Sequence, residues 1–79
     1  MRRVAQLYKA LSEEPRLRIL ALLLRHGELC VCDLEAALGA TQSKTSRHVR
    51  YLAAAGLVQD RRDGVRTLYR LPADPDPEV

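Results

Sequence analysis

Two cysteines, Cys30 and Cys32, stand one residue apart in the stretch Glu28-Leu29-Cys30-Val31-Cys32-Asp33-Leu34. Thiolates are soft donors, and a close pair can hold a thiophilic ion or oxidise together. Two sulfurs make an incomplete shell. A structural zinc site takes four ligands, and the only other imidazole candidates, His26 and His48, are dispersed along the chain. A trigonal, sulfur-seeking centre such as trivalent arsenic or antimony suits two thiolates better. Water, a small anion or a methyl group would then complete the shell. Amides at a helix start would help ionise the thiols, whereas Asp33 and Glu35 would oppose it. The plainer reading is one buried and one exposed cysteine with no ligand role.

A second set of residues is suited to a polyanion. Residues 1–71 carry all 13 Lys and Arg against seven acids, and residues 41–71 alone carry seven bases against two acids. Basic charge gathered in one segment points to nucleic acid, with a merely solvated basic face as the alternative. Within it, Gln42 can pair bidentately with adenine and Arg47 with guanine, and Ser43 and Ser46 can bond base edges or phosphate. Lys44 and Arg50 suit phosphates, and Arg62 and Arg66 suit the backbone or an adjacent minor groove. His48 either bonds a phosphate or supports the fold from within. No nucleophile–base pair, phosphate loop or complete catalytic metal shell is visible, so no catalytic residue and no enzyme activity is expected.

The elements that must position these groups follow from periodicity. With 79 residues, 47% hydrophobic and 29% charged, the chain has room for one small globular domain. Three Tyr, no Phe and no Trp leave a core of Leu and Ala, which favours helices. Val4, Leu7, Tyr8 and Leu11 mark a short helix over residues 4–11. Ser12, followed by Glu13, Glu14 and Pro15, reads as the cap of a second helix from Glu14 to Arg25, with Leu17, Leu20, Ala21 and Leu24 inward and Gly27 as its stop. Cys30 to Leu38 reads as a third helix ended by Gly39. Thr41 caps a fourth, Gln42 to Ala55, ended by Gly56. On that fourth helix Thr45, Val49, Leu52 and Ala53 face inward.

The connection Gly39-Ala40-Thr41 between the third and fourth helices is the short, Gly-containing turn of a helix-turn-helix. The period then changes. Leu57 to Arg62 and Val65 to Leu71 flank Asp63-Gly64, a strong hairpin turn. The expected fold is mainly α with a small β-hairpin, a winged helix-turn-helix over residues 1–71. Residues 72–79 form a tail with three Pro and three acids. The longest strictly apolar run, Ile19 to Leu24, is far short of the roughly 20 residues that span a bilayer. No secretory leader is expected, the cysteine usage is not that of a disulfide scaffold, and the cytoplasm is the expected compartment.

Three passages resemble the ArsR/SmtB family of winged-helix metalloregulators, and most narrowly its arsenical-resistance repressors. They are ALSEEPRLRIL from Ala10 to Leu20, ELCVCDL from Glu28 to Leu34, and SRHVRYLAAAGLV from Ser46 to Val58 followed by DRRDGVRTLYRL. The resemblance covers about residues 4–71. It implies that Cys30 and Cys32 are the first two thiolates of an arsenic sensor, with arsenite or antimonite as inducer and no required cofactor. The family pattern continues to a third cysteine three residues after the second, where this chain has Glu35. Cadmium- and lead-sensing relatives add a cysteine near the N-terminus, which is not found here. The resemblance also implies a homodimer formed through the first helix and a helix after the wing, toward which residues 72–79 are expected to lead.

The expectation is therefore a repressor. It binds double-stranded operator DNA as a homodimer and is released when trivalent arsenic or antimony bridges Cys30 and Cys32. Two alternatives remain open: the same fold sensing another soft ion or thiol oxidation, and a winged-helix module for protein contact without an operator.

Overall fold

The computed structural model describes residues 2–72. The acidic residues of the expected tail lie outside them. Four helices and three strands follow in the order α1 (Arg2–Ala10), α2 (Glu14–His26), β1 (Glu28–Cys30), α3 (Val31–Leu38), α4 (Gln42–Ala54), β2 (Gln59–Asp63) and β3 (Arg66–Arg70). This is the expected winged helix-turn-helix, with one strand more than the expected hairpin. The sheet order is β1-β3-β2, antiparallel throughout. No described helix is long and apolar enough to cross a membrane.

The core is small and aliphatic. Ile19 and Leu23 from α2, Leu34 from α3, and Val49 and Leu52 from α4 are fully buried or nearly so, with Ala10, Ala55 and Val58 closing the cluster. Thr45, Val49 and Leu52 face inward on α4 as their spacing predicts, and Ala53 is half-buried. On α2 the inward face differs from the expected one. Ile19, Leu23 and Arg16 are buried, whereas Leu17 and Leu24 are 47% and 76% exposed. Leu is spread around most of this helix, so apolar periodicity alone does not choose its inner face.

Arg16 takes an inward position because its charge is well partnered. Its guanidinium lies 3.9 Å over the Tyr51 ring, donates to the Lys9 carbonyl and pairs with Glu13. A cation stacked on an aromatic face keeps a partner for its charge out of water. Gln6 Nε2 donates to the Ala54 carbonyl at 3.2 Å, so α1 is tied to the end of α4.

Several boundaries move for identifiable reasons. Ser12 does not cap α2: its hydroxyl donates backward to the Lys9 carbonyl at 2.7 Å, and the cap position is Glu13. The third helix begins at Val31 because residues 28–30 pair with β3, taking Cys30 out of the helix and into a strand. Thr41 caps α4 as expected, its Oγ1 accepting from the Lys44 amide at 3.2 Å. In the wing, Asp63 pairs with Arg66, so the two-residue loop is Gly64-Val65, one position beyond the expected Asp63-Gly64. Gly64 at φ 65° holds the first loop position, where hairpin turns of the II′ kind need positive φ.

The two faces of α2 make a direct test. Ile19→Ala should lower the unfolding free energy of this chain by about 2–5 kcal/mol in a urea titration. Leu24→Ala should change it by less than about 0.5 kcal/mol. Equal losses would contradict the face assignment.

Candidate thiolate site and nucleic-acid face

Cys30 sits where a strand becomes a helix. It is the last residue of β1 and the N-cap of α3, with extended backbone at φ −85° and ψ 168°. Its Sγ accepts from the Asp33 amide at 3.4 Å, and the Asp33 carboxylate accepts from the Cys30 amide at 3.2 Å. This reciprocal pair is a capping box with sulfur in the usual place of a hydroxyl. One helix-start amide therefore faces the Cys30 sulfur. Asp33, expected only as an opposing charge, is a structural partner of the same residue.

Cys30 is 3% exposed, and Cys32, one residue into the helix, is exposed. Their sulfurs are joined as a disulfide, with the Cα atoms 5.4 Å apart, within the span such a bond needs. The ligand atoms of Cys30, Cys32 and Asp33 all lie within 4.8 Å of one another. Only with the disulfide reduced do two sulfurs and one carboxylate oxygen offer the three donors that a three-coordinate thiophilic ion takes. Glu35, at the position of the third family cysteine, is not in this group.

The cysteines open onto a groove of 380 Å³. Val31 and Glu35 lie on its α3 side, Gln42 and Ser46 on its α4 side, and Val65, Arg66, Thr67 and Tyr69 on its wing side. The thiols, the first turns of the second helix of the helix-turn-helix, and the wing thus share one concavity. The turn linking α3 to α4 is tight: Gly39 adopts φ 66°, and its amide donates to the Glu35 carbonyl at 2.8 Å.

The residues expected to meet nucleic acid divide into three places. Ser43, Lys44, Arg47 and Arg50 are exposed along the outer side of α4, with Gln42 exposed at its start and Ser46 half-buried in the groove. Arg62 and Arg66 are exposed on the wing, and Arg66 makes one loose contact with Asp63 at 3.4 Å. His48 is half-buried. Partial burial lowers its pKa from 6.5; Glu13 opposes that shift, and Arg16 and Arg47 reinforce it. These neighbours place His48 beside the α2 start, away from the groove.

Arg61 precedes Arg62 in the chain but is engaged differently. It makes a bidentate pair with Glu28, Nε to Oε2 at 2.9 Å and the terminal nitrogen to Oε1 at 2.7 Å. The Arg61 hydrogen bonds hold the Glu28 carboxyl below its ordinary range, with burial opposing and the charges of Arg61 and Arg70 reinforcing the shift. The pair was missed because β1 was missed: three residues are too few to show an alternating pattern.

The sequence pattern described as bacterial regulatory protein, arsR family, matches residues 13–60. The arsenical resistance operon repressor of Escherichia coli K12 is 52% identical over 66 residues, which are 84% of this chain and 56% of that protein. Among solved structures, the homodimeric winged helix-turn-helix DNA-binding domain of Mb0332 from Mycobacterium bovis superposes with a TM-score of 0.82 at 39% identity, over 87% of this chain and 63% of that one. Reduced HlyU from Vibrio cholerae superposes with a TM-score of 0.81 at 37% identity, over 90% of this chain and 74% of that one. The chain spans about half the length of the curated relatives it matches.

The His48 surroundings set a pH dependence. A folded-state pKa below the unfolded value means the unfolded chain binds the proton better, so stability is full above pH 6.5 and falls as the pH drops through the folded pKa. An NMR titration of the His48 ring should have its midpoint below 6.5, and His48→Gln should remove part of the stability lost on mild acidification. A midpoint above 6.5 would contradict this placement.

Proposed function

Because the chain belongs to the bacterial ArsR family of regulatory proteins, we propose that it is a transcriptional repressor whose grip on operator DNA is released by trivalent arsenic or antimony at Cys30 and Cys32. The family is one of regulators and not of enzymes. The observation that carries the proposal is the place of Cys30: its sulfur caps α3, and the groove beside it is lined by Gln42 and Ser46 of α4. The Escherichia coli relative, an arsenical resistance operon repressor, points to the same inducer class.

The chemistry follows from the donors. Arsenite, As(OH)3, condenses with two thiols to form two As–S bonds and release two waters. The thiols must be reduced, so the disulfide form is closed to the ion. Bridging by arsenic sets a different spacing of the two sulfurs from that in the disulfide, and because Cys30 Sγ caps α3, this shifts the first turn of the helix. The shift favours a different placement of α3, and through the turn at Gly39 a different placement of α4. Release requires that the ion bind one of the two arrangements better, and a coupling of about 1–3 kcal/mol changes DNA affinity about 5–150-fold.

On the DNA, Gln42, Ser43, Ser46 and Arg47 read base edges, while Lys44, Arg50, Arg62 and Arg66 hold phosphates. The cytoplasm is the compartment that such an operator-binding role requires. A homodimer presents two reading helices to half-sites one helical turn apart. It is supported by an apolar groove of 260 Å³ lined by Val4, Leu7 and Tyr8 of α1 and by Leu11 just after it, and by the homodimeric state of the Mb0332 domain. A second signal, thiol oxidation, is favoured by the disulfide itself. It uses the same site with the opposite requirement, since oxidation and arsenite compete for the same two sulfurs.

The test is a titration of a DNA duplex, selected by this protein from a random-sequence pool, with reduced protein. Arsenite should weaken binding about 5–150-fold, and the Cys30→Ser, Cys32→Ser double variant should bind DNA without responding. An undiminished arsenite response in the double variant would overturn the site. Release by a disulfide-forming oxidant but not by arsenite would select the oxidation reading.

A further inference from the structure

Cys30 belongs to two structures at once, and only one of them leads to α4. Through β1 it is also a residue of the wing sheet. Cys30 pairs with Leu68 of β3, and Leu68 pairs on its other side with Arg61 of β2, so the three form one row across the sheet. Residues facing each other across antiparallel strands project to the same side, and so do residues two apart along a strand. Glu28 therefore shares a side with Cys30, Leu68 and Arg61. From there it reaches past β3 to grip Arg61 with both carboxylate oxygens. Glu28 and Arg61 come from the two outer strands, which do not pair with each other.

We infer that Glu28 and Arg61 form a clamp that couples the state of the Cys30 thiol to the wing, making the wing a second output of the site beside α4. Both are positioning residues: the pair touches neither the inducer nor DNA. The inference rests on the proposed function for the identity of the signal, but the mechanical link is a property of the sheet. Three features carry it. The β1 ladder is only three residues long, so a change at Cys30 acts on a third of it. The clamp is bidentate, and a planar fork on a carboxylate transmits orientation as well as distance. The wing residues beyond the clamp include Arg62 and Arg66, both exposed.

The clamp also sets which arginine is available. Arg61 stands between Asp60 and Arg62 on β2, yet its fork is turned to Glu28 while Arg62 is exposed with no hydrogen-bond partner given to it by the clamp. Removing the Glu28 charge frees Arg61 for phosphate. Each added phosphate contact steepens the dependence of log binding constant on log salt by about 0.9.

The experiment compares the reduced full chain with Glu28→Gln and Arg61→Lys, using arsenite as the probe. Hydrogen exchange is followed at the amides of residues 61–68 and 42–54, and DNA affinity is measured over a range of salt. In the unmodified protein arsenite should change exchange in both segments. In both variants the change at 61–68 should be lost while that at 42–54 remains, and As–S absorbance should show the ion still binding. Glu28→Gln should bind DNA with a salt slope steeper by about 0.9; Arg61→Lys distinguishes loss of the fork from loss of charge. Unchanged arsenite protection at 61–68 in both variants, or a wing that does not respond in the unmodified protein, overturns the inference. An exchange response without any change in DNA affinity would instead sink the proposed function and leave the clamp standing. Matching helical circular dichroism in all three proteins excludes misfolding as the cause.

Discussion

The hydrogen bond from the Asp33 amide to the Cys30 sulfur is the constraint on which the site depends. A helix leaves its first amides without internal partners, and something must accept them. Here the acceptor is the very atom that would bind a soft ion. Neither role can be changed without disturbing the other. Had Cys30 lain in the middle of α3, a ligand on its sulfur would have been an ornament on a finished helix. At the cap, the same ligand would act on the atom that holds the helix start.

Around that point the small fold is economical in its connections. The strand before Cys30 runs into the wing sheet, and the helix after it runs through a three-residue turn into α4. The buried core, built from Ile19, Leu23, Leu34, Val49 and Leu52, holds α2, α3 and α4 against one another but leaves the groove open. A rigid core beside an open groove lets a local change move an element as a body. Arg16 adds a polar fastening inside this core: stacked on Tyr51 and bonded to the Lys9 carbonyl, it joins the α1 end, the α2 start and α4.

Much of this was legible in the residues. Thr41 three places before Lys44, Gly39 before it, and the inward spacing of Thr45, Val49 and Leu52 made α4 and its turn readable, because each signal has one local cause. The cysteine pair and the basic side of α4 were readable for the same reason. What stayed hidden depends on distant partners. The β1 strand exists only because β3 offers a free edge to it, and without β1 neither the cap position of Cys30 nor the Glu28–Arg61 pair could be seen. The inner face of α2 was misplaced because leucines surround that helix, and an arginine fills an inward position made acceptable in part by Tyr51, 35 residues later in the chain. Ser12 looked like a cap, but its hydroxyl found the nearer Lys9 carbonyl.

The wing sheet has a further property that comes from its charges. An antiparallel sheet of three strands offers two open edges, each a template onto which another chain could add a strand. On one side the edge is β1, too short at three residues to recruit much. On the other it is β2, whose five residues are all exposed and read Gln-Asp-Arg-Arg-Asp. Two bases flanked by two acids on an exposed edge mean that an apolar newcomer must strip water from four ionic groups. The same charged residues that the proposed function turns toward DNA thereby also keep one molecule's sheet from growing into the next.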